Sequence, residues 1–579
     1  MDKTSRAPVD GLSQVWGATD TALCNDTVHA MLDHALQRWP QQEAAVFAEQ
    51  GVRWTWQQLH QQVQWAAAGL LGLGVRAGDR VGIWAPNRAE WLVTQFATAR
   101  IGAILVNINP AYRLSELEYT LNKAGVSVLV SAEAFKTSHY LAMLQNLGVG
   151  IDSALACNGR SARLSQLQTV VRLGEGSTAG MLNWSALMAS GRAGLDGPSP
   201  ACSLPAAGTL HCHDAINIQF TSGTTGAPKG ATLTHHNIVN NALAVAQCMR
   251  LSPQDSLCIP VPLYHCFGMV LAVLACVASG AKMVFPGEGF DARATLAAVA
   301  AERCTALHGV PTMFIAELDH ADFAQFDLRS LRTGIMAGAP CPIEVMRRVQ
   351  GQMHMAEVTI AYGMTETSPV SFQSATDDPL HKRVTTVGRV LPHLAVKIID
   401  TLGRTLPVGE TGELCTRGYS VMQGYWDEPE RTAEAVQDGW MHTGDLATLD
   451  AEGYCSIVGR LKDLVIRGGE NIYPREIEEF LFRHPKVAAV QVFGVPDARY
   501  GEALCAWIIT RPGMACTEDE IRDFCHGQIA HYKVPRYVRF VDELPVTVTG
   551  KPQKFLMREA MVRELGLAPT PGSGAPVVG

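Results

Sequence analysis

Long hydrophobic runs, blocks of basic residues and a secretory leader are all missing from this sequence of 579 residues. The longest apolar run, Met269 to Ala278, is about half as long as a membrane span must be, so we expect a buried helix and no integral membrane contact. The net charge of −8, without a basic block, argues against nucleic acid as a partner. The opening residues carry no apolar segment, so no secretory signal is expected.

Closely paired cysteines are also missing, since no CxxC pair occurs among the 15 cysteines. Scattered thiols in a large chain are typical of a reducing compartment, which predicts a cytoplasmic protein. The run His211-Cys212-His213-Asp214 has ligand-type residues, but a second group with metal-ligand spacing is missing. We therefore interpret this run as a polar loop before a strand.

An apolar share of 47% with 18% charged residues is typical of a soluble globular protein, and the length requires two or more domains. Helix-period and strand-like segments alternate in the first half. We predict a helix over 54–73, a strand over 80–84, a helix over 90–101 and a strand over 103–108. This alternation favours an α/β fold with parallel sheets and flanking helices, in which ligands bind beyond the carboxyl ends of strands.

Changes in composition and hydrophobic periodicity divide the chain further. Residues 158–210 are weakly periodic and rich in Gly, Ser and Ala, which predicts a peripheral insertion with surface loops. Short strands with turn signals over about 384–458 predict a β-rich subdomain. We expect an N-terminal domain over 25–461, a small mobile α+β C-terminal domain over 463–565, and a disordered tail over 566–579.

The predicted C-terminal domain has its own alternation of elements. Amphipathic segments over 476–484 and 518–526 predict helices, and apolar segments over 487–495 and 503–510 predict strands. About 100 residues is the size of an independent domain. No internal repeat is visible in the chain.

The most informative segment joins a strand-like run, INIQF, to the ten residues TSGTTGAPKG, from Thr221 to Gly230. Its glycines let the backbone approach an anion, while hydroxyls and one ammonium group add donors. Only two residues separate Gly226 from Lys229, so the spacing is not that of a Walker loop. A flexible linker is disfavoured because an amphipathic helix follows. The segment therefore predicts a triphosphate-binding loop.

TSGTTGAPKG resembles the signature loop of the adenylate-forming superfamily, which includes acyl-CoA synthetases, amino-acid adenylation domains and firefly-type luciferases. Five further segments resemble the motifs of that superfamily in the same order: YGMTET (362–367), GWMHTGD (439–445), GRLKD (459–463), GGENIYP (468–474) and PVTVTGK (545–551). The likeness extends from about residue 25 to 565. It implies activation of a carboxylic acid by ATP.

The resemblance assigns the nucleotide-binding residues. The loop residues that would hold the β- and γ-phosphates are Thr221, Ser222, Gly223, Thr224, Thr225, Gly226 and Lys229. Glu366 would hold Mg²⁺, a hard cation that prefers carboxylate oxygen, and Thr365 would contact the α-phosphate. The remaining nucleotide contacts would come from the segment Tyr362-Gly363-Met364, the ribose-binding pair Asp445 and Arg460, and the adenine-flanking turn Gly338-Ala339-Pro340.

Two lysines and a histidine complete the implied machinery. Lys551 resembles the lysine that bridges the substrate carboxylate and the α-phosphate, where a cation stabilises the growing negative charge. His265 matches a position near the acyl carboxylate, with a structural histidine as the alternative reading. Lys462 occupies the hinge position, about which the C-terminal domain would rotate and bring Gly468 and Gly469 to the site for coenzyme A.

Within the superfamily, the segments RGGENIYPREIEEFLFRHPKV and GYSVMQGYW resemble bacterial fatty-acid ligases and mitochondrial acyl-CoA synthetases of the family-member-two type. This implies a fatty-acyl-CoA synthetase for medium-length acids that uses ATP, Mg²⁺ and coenzyme A. The apolar residues around the expected acyl pocket are Phe267, Met269, Val310, Met313 and Met336.

Other enzymes and binding proteins stay open at this point. An aryl- or branched-acid ligase would share every motif, and luciferase chemistry is disfavoured only by its rarity. Peptide-synthetase adenylation is disfavoured because no carrier domain follows. A nucleotide-binding protein without catalysis is disfavoured because Glu366, Asp445, Arg460 and Lys551 are all present. Oligomeric state, with a homodimer among the options, is not determined by the sequence.

Overall fold

The computed structural model describes the chain in eight segments: residues 7–150, 161–197, 203–206, 208–221, 228–339, 341–468, 470–547 and 550–567. Helices and strands alternate through most of its length. The α-helices are α1 Val28–Arg38, α2 Trp56–Gly72, α3 Ala89–Ile101, α4 Leu114–Ala124, α5 Tyr140–Asn146, α6 Trp184–Asp196, α7 His235–Cys248, α8 Ala275–Ser279, α9 Ala292–Glu302, α10 Pro311–Leu318, α11 Ile343–Gln352, α12 Leu380–Thr385, α13 Pro429–Ala435, α14 Pro474–Leu481, α15 Glu518–Cys525 and α16 Lys554–Glu564.

The strands fall into four main sheets. They are β1 Gln14–Trp16, β2 Glu43–Phe47, β3 Val52–Thr55, β4 Arg80–Trp84, β5 Ile104–Asn107, β6 Val126–Ser131, β7 Ala134–Phe135, β8 Ser138–His139, β9 Thr169–Arg172, β10 Leu182–Asn183, β11 Ala215–Thr221, β12 Lys229–Thr234, β13 Ser256–Cys258, β14 Lys282–Phe285, β15 Ala306–Leu307, β16 Thr333–Ala337, β17 Glu357–Gly363, β18 Val370–Gln373, β19 Arg389–Val390, β20 Leu394–Ile399, β21 Gly412–Gly418, β22 Gly424–Tyr425, β23 Val436–Gln437, β24 Trp440–Leu449, β25 Cys455–Arg460, β26 Val465–Arg467, β27 Glu470–Ile472, β28 Val487–Asp497, β29 Gly501–Thr510 and β30 Tyr537–Phe540.

Two large sheets, parallel through their centres, form the N-terminal part. The first has the order β10-β9-β6-β4-β5-β11-β12-β22, and its described strands pair antiparallel only at β11–β12 and β12–β22. The second has the order β19-β18-β17-β16-β15-β13-β14-β2-β3, with antiparallel pairing at both ends. Both sheets and their helices share one buried apolar core. The α/β class expected from the alternation of segments is confirmed.

The expected elements of the first half are confirmed by α2, β4, α3 and β5, with ends within a few residues of the prediction. A capping box explains the sharp start of α2, since the hydroxyl of Thr55 accepts from the backbone of Gln58, whose side chain accepts from Thr55. The long apolar run forms a π-helix, Phe267–Leu274, and then α8, and its residues are buried except Ala278, which is partly buried. In the described segments, no helix combines the length and apolar character needed to cross a membrane.

The peripheral insertion expected over 158–210 is only partly right. In the described part of this region, β9 extends the first sheet and α6 packs against α2. A Cβ at Gly191 would lie 1.9 Å from the carbonyl oxygen of Trp65, so the two helices touch through backbone. The small residues that predicted surface loops therefore allow close helix packing.

A third, antiparallel sheet has the order β1-β20-β21-β24-β23, with β25 paired to β24. It confirms the β-rich character expected over 384–458, and the early strand β1 joins it by pairing with β20. The C-terminal sheet has the order β27-β26-β29-β28, with β30 paired to β29. Two apolar clusters of its own lie on this sheet, and the helices α14, α15 and α16 confirm its α+β character.

Candidate active site

The predicted phosphate loop lies at the turn of the β11–β12 hairpin. Thr221 and Lys229 are paired across the two strands at the point where the loop leaves them. The loop positions Ser222, Gly223, Thr224, Thr225 and Gly226 lie outside the described residues. The hairpin therefore delivers one hydroxyl and one ammonium group to the mouth of the loop.

Glu366 lies beside this mouth in a 3₁₀ turn, Thr365–Thr367, that follows β17. Its side chain is buried, and its Oε1 accepts from the hydroxyls of Thr221 at 3.2 Å and Tyr425 at 3.0 Å. The ammonium of Lys229 lies 4.8 Å from the centre of the Tyr425 ring. The turn thus brings a carboxylate next to the two ends of the phosphate loop.

Sequence reasoning did not single out Tyr425. Burial and the Glu366 carboxylate raise the pKa of its phenol, so it donates to that carboxylate at neutral pH. Tyr425 falls in GYSVMQGYW, the segment over 418–426 that resembles fatty-acid ligases. The segment could have pointed to the site, but pairing of β22 with β12 is a tertiary contact that no local pattern predicts.

The YGMTET segment enters the turn from β17. A Cβ at Gly363 would lie 1.7 Å from the carbonyl oxygen of Pro369, so only glycine fits there. The backbone N–H of Met364 donates to that same oxygen at 2.9 Å. Tyr362 points to a different neighbour, because its hydroxyl donates to Oδ2 of Asp445 at 2.6 Å. This segment therefore connects the Glu366 turn to the predicted ribose-binding group.

Asp445 and Arg460 are paired residues on the antiparallel strands β24 and β25. Nε of Arg460 donates to Oδ1 of Asp445 at 3.1 Å, while Tyr362 holds the other carboxylate oxygen. The carboxylate is buried, and most of the Arg460 side chain is exposed. The structure thus brings together the two residues predicted for the ribose, with a fixed carboxylate between two donors.

His265 lies at the start of the π-helix. Its Nδ1 accepts from the backbone N–H of Phe267 at 3.1 Å, which leaves the ring proton on Nε2. The neighbouring Cys266 thiol lies 3.8 Å from the hydroxyl of Thr365. Burial and the positive charge of Lys551 lower the pKa of His265 to about 3, so the imidazole is neutral. A neutral Nε2–H donor is therefore available beside Lys551.

Lys551 comes from the C-terminal part of the chain and reaches this same place. Its backbone N–H donates to the hydroxyl of Thr547 at 3.1 Å, which closes a tight turn. A Cβ built on Gly338 would lie 3.9 Å from Cε of Lys551. Burial, with the positive charge of Arg460, lowers the pKa of the ammonium group, while Asp445 and Glu366 oppose that change. The lysine is thus surrounded by the groups predicted for the nucleotide.

The Lys551 turn packs on the strand ends of the second sheet. A Cβ on Gly550 would lie 2.9 Å from Val310, and φ is +78° there, so glycine fits both the space and the conformation. Gly338 and Ala339 directly follow β16, and Gly338 has φ +88°. Pro340 lies outside the described residues. The predicted adenine-flanking turn is therefore beside the lysine.

The predicted hinge directly follows Arg460, and the predicted glycine segment comes after it in the chain. Lys462 is exposed in the 3₁₀ turn Leu461–Asp463, which connects β25 to β26. Gly468 directly follows β26. Its N–H donates to the carbonyl of Tyr500 at 2.8 Å, within the C-terminal part. Gly469 lies outside the described residues. In this arrangement it is Lys551, and not Gly468, that faces the nucleotide residues.

A cavity of about 390 Å³ lies between the two parts of the chain. Its N-terminal wall contains aromatic and polar side chains, among them Asn87, Phe135, Lys136, Tyr264 and Phe290. The other wall contains Val546, Thr547 and Gly550, next to Lys551. Sequence reasoning missed this cavity, because its walls come from strand ends and a loop that are far apart in the chain.

Two family models match the chain. The model described as AMP-binding enzyme matches residues 32–426, and that described as AMP-binding enzyme C-terminal domain matches residues 476–551. A medium-chain acyl-CoA ligase named as mitochondrial, ACSF2 of Danio rerio, is 45% identical over 571 residues, 98% of this chain and 93% of the relative.

Solved structures agree with this likeness over the whole fold. The anthranilate CoA ligase AuaEII in complex with anthranoyl-AMP is similar with a TM-score of 0.84 and 28% identity, over 95% of this chain and 99% of that one. ATP-bound MatB from Rhodopseudomonas palustris is similar with a TM-score of 0.78 and 30% identity, over 94% and 100%. The expected two-part architecture is therefore shared with enzymes crystallised with ATP or an acyl-adenylate.

Proposed function

The chain belongs to the AMP-binding enzyme family, and from that premise we propose that it is an ATP-dependent acyl-CoA synthetase for medium-chain fatty acids. A carboxylic acid and ATP give acyl-AMP and pyrophosphate, and coenzyme A then takes the acyl group and releases AMP. The observation that carries this proposal is the position of Lys551 beside Gly338, where the charges of Arg460, Asp445 and Glu366 act on its ammonium group.

In the first step, a carboxylate oxygen of the acid attacks the α-phosphorus, and the bond from that phosphorus to the pyrophosphate oxygen breaks. Two anions must approach, so a cation between them lowers the barrier. Lys551 supplies that cation, and the neutral Nε2–H of His265 is a donor for the acid. Asp445 accepts from the ribose hydroxyls, which fixes the nucleotide for in-line attack.

Glu366 fits the role of a magnesium ligand. Among the described residues, both of its hydrogen bonds go to Oε1, so Oε2 is available to a cation. The carboxylate is buried beside the mouth of the phosphate loop, and Mg²⁺ is commonly bound by one or two carboxylates together with substrate phosphates. When bound, the ion would neutralise charge on the leaving pyrophosphate.

In the second step, the sulfur of coenzyme A attacks the acyl carbon, and the bond from that carbon to AMP breaks. The cavity of about 390 Å³ is the candidate site for the pantetheine arm, because Tyr264, the neighbour of His265 in the chain, lies in its wall. Val546, Thr547 and Gly550, in the loop before Lys551, form one wall of it. Rotation about Lys462 withdraws this loop together with Lys551, and Gly468 and Gly469 take its place.

The acid is proposed to be an alkyl chain of medium length. The relative named as a medium-chain acyl-CoA ligase supports this choice. Phe267, Met269, Val310 and Met313 are buried and apolar, Phe267 contacts His265, and Val310 lies against Gly338. We also place the enzyme in the cytoplasm, because all cysteines of the described segments are free thiols.

Pyrophosphate release with ATP, Mg²⁺ and coenzyme A tests the proposal across straight-chain, branched and aromatic acids. We expect the highest kcat/KM with straight chains of medium length. A preference for benzoate or anthranilate would instead identify an aryl-acid ligase, which the likeness to AuaEII makes the second candidate. No turnover with any acid would identify a nucleotide-binding protein without catalysis.

A further inference from the structure

A cluster of sulfur and nitrogen ligands lies at the end of the β11–β12 hairpin opposite the phosphate loop. Cys212 and His213 precede β11, and His236 is in the first turn of α7, directly after β12. Their ligand atoms all lie within 4.8 Å of one another. His236 is separated from the other two in sequence by the whole hairpin, but pairing of Ala215 with Thr234 brings the two ends together.

The backbone holds the three residues in place. The N–H of His236 donates to the carbonyl oxygen of Cys212 at 2.7 Å, and the imidazole rings of His213 and His236 have centroids 4.6 Å apart. The N–H of His211 donates to the carboxylate of Asp214 at 2.9 Å, which closes the turn that presents Cys212 and His213. The ligands are thus fixed by a turn and by a helix start.

A second thiol, that of Cys24, lies nearby and is a candidate fourth ligand. Asn240 of α7 bonds to both backbone groups of Cys24, accepting from its N–H at 2.7 Å and donating to its carbonyl at 2.9 Å. The thiol of Cys212 lies 3.9 Å from Oδ1 of Asn25, the residue directly after Cys24, so Cys24 is close to the cluster.

From this geometry we propose that Cys212, His213 and His236 bind a divalent metal of the zinc class, with Cys24 or water in the fourth position. One or two thiolates with two imidazoles make the donor set that zinc prefers, in a tetrahedral arrangement. Ligand atoms around tetrahedral zinc lie about 3.5 Å apart, so the present cluster must contract by about 1 Å. Bound metal would join the segment before α1, the turn before β11 and the start of α7.

Cobalt is the probe, because tetrahedral Co²⁺ with a thiolate ligand has strong visible d–d bands and a sulfur-to-metal charge-transfer band. The full chain, purified in a chelator and kept reduced with a phosphine, is titrated with Co²⁺ and then with Zn²⁺. We expect these bands to rise to one equivalent and to disappear as zinc replaces cobalt. The double variant Cys212→Ser/His236→Ala should lose at least tenfold in affinity and show no thiolate band.

The matched control is the double variant His211→Ala/Cys516→Ser, which changes an exposed histidine and a partly buried cysteine outside the cluster. It should keep the wild-type spectrum. A second group, Glu413, Cys415 and His442, could also hold an ion, so bands that persist in Cys212→Ser/His236→Ala would overturn the proposal. Absence of a thiolate band from the wild-type protein would overturn it as well.

Thermal unfolding gives a readout that does not depend on the spectrum. Zinc should raise the Tm of the wild-type chain and of the control, and it should leave the Tm of Cys212→Ser/His236→Ala unchanged. That variant must itself unfold cooperatively without metal, and the single variant His213→Ala serves if it does not. An equal Tm shift in all proteins would show unspecific binding and reject the site.

Discussion

At the scale of single residues, the pKa of the Lys551 ammonium group depends on the residues around it. Burial and Arg460 lower the pKa of its ammonium group from the ordinary value of 10.5. Adenylation needs the charged form, so activity is present below the pKa in the folded protein and is lost as the pH rises through it. Bound ATP adds negative charge and raises this pKa again.

We therefore predict an alkaline limb in the kcat/KM of adenylation that lies below pH 10.5, and a limb in kcat that lies at higher pH. ATP–pyrophosphate exchange measures both limbs. Coenzyme A is left out because its thiol would titrate in the same pH range. Limbs at the same pH in kcat and kcat/KM would contradict the electrostatic role of the lysine.

Replacement of the lysine should separate the two half-reactions. Lys551→Ala should lower the rate of acyl-adenylate formation by about 10²–10³-fold, the usual loss of one preorganised stabilising group. Transfer from preformed acyl-AMP to coenzyme A should be mostly retained, since the proposed rotation withdraws the lysine for that step. Rapid-quench assays of each half-reaction measure this, and an equal loss in both would reject the assignment.

The carboxylate of Glu366 should control the metal requirement. Glu366→Gln keeps the side-chain shape and the hydrogen bonds from Thr221 and Tyr425 to a side-chain oxygen, but it removes the charge. We expect the Mg²⁺ concentration for half-maximal adenylation to rise by roughly tenfold or more. Tyr425→Phe is the matched control, which removes a hydrogen bond from the same oxygen without removing charge. An unchanged metal dependence in Glu366→Gln would show that the cation is held elsewhere.

Residue-level prediction from sequence succeeded where a motif names a position and failed where a partner comes from another element. Glu366, Asp445, Arg460 and Lys551 meet in the structure, although their individual roles remain predictions. Tyr425 was missed because β22 reaches Glu366 only through its pairing with β12. The proximity of His236 to Cys212 was missed for a similar reason, since the pairing that brings them together joins residues far apart in the chain.

At the scale of elements, the short 3₁₀ turn between β25 and β26 is the proposed hinge. Lys462→Pro should stiffen it, because proline fixes φ and restricts the preceding residue. We expect thioester formation to fall by more than tenfold while adenylation changes little, since the present arrangement already places Lys551 at the site. Lys462→Ala, which leaves the backbone free to rotate, is the control. A greater loss of adenylation than of thioester formation would contradict the hinge.

Elements with a strong local period could be predicted from the sequence, and others could not. The helix α2 has an apolar face and a capping box, and the strand β4 is a short apolar run, so both were found. The strand β9 has only four residues, and its place in the first sheet depends on pairing with β6. The helix α6 was read as loops because the glycine and alanine that suit its packing on α2 also mark turns.

At the scale of the whole molecule, the apolar cores divide the chain at the proposed hinge. The large core contains buried residues from Val15 to Cys455, and two smaller clusters contain only residues between Val465 and Met561. The links across the boundary are local, such as the packing of Gly550 on Val310 and the bond from Arg475 to the carbonyl of Ile457. Separate cores with few shared contacts allow one part to rotate as a body.

We therefore predict that a chain ending at Asp463 folds and still binds ATP. This end lies after the predicted phosphate loop, the predicted metal ligand Glu366 and the predicted ribose-binding pair Asp445 and Arg460. Nucleotide affinity should therefore stay within about tenfold of that of the intact chain. Calorimetry should show one cooperative transition, and ATP should raise its Tm.

Adenylate formation by this shortened chain should fall as far as in Lys551→Ala, about 10²–10³-fold, because both lack the same cation. Full-length Lys551→Ala is therefore the matched control, measured by ATP–pyrophosphate exchange with the same acid. A shortened chain that unfolds without cooperativity would show that the cores depend on each other. Wild-type exchange by a folded, shortened chain would show that adenylation does not use the C-terminal part.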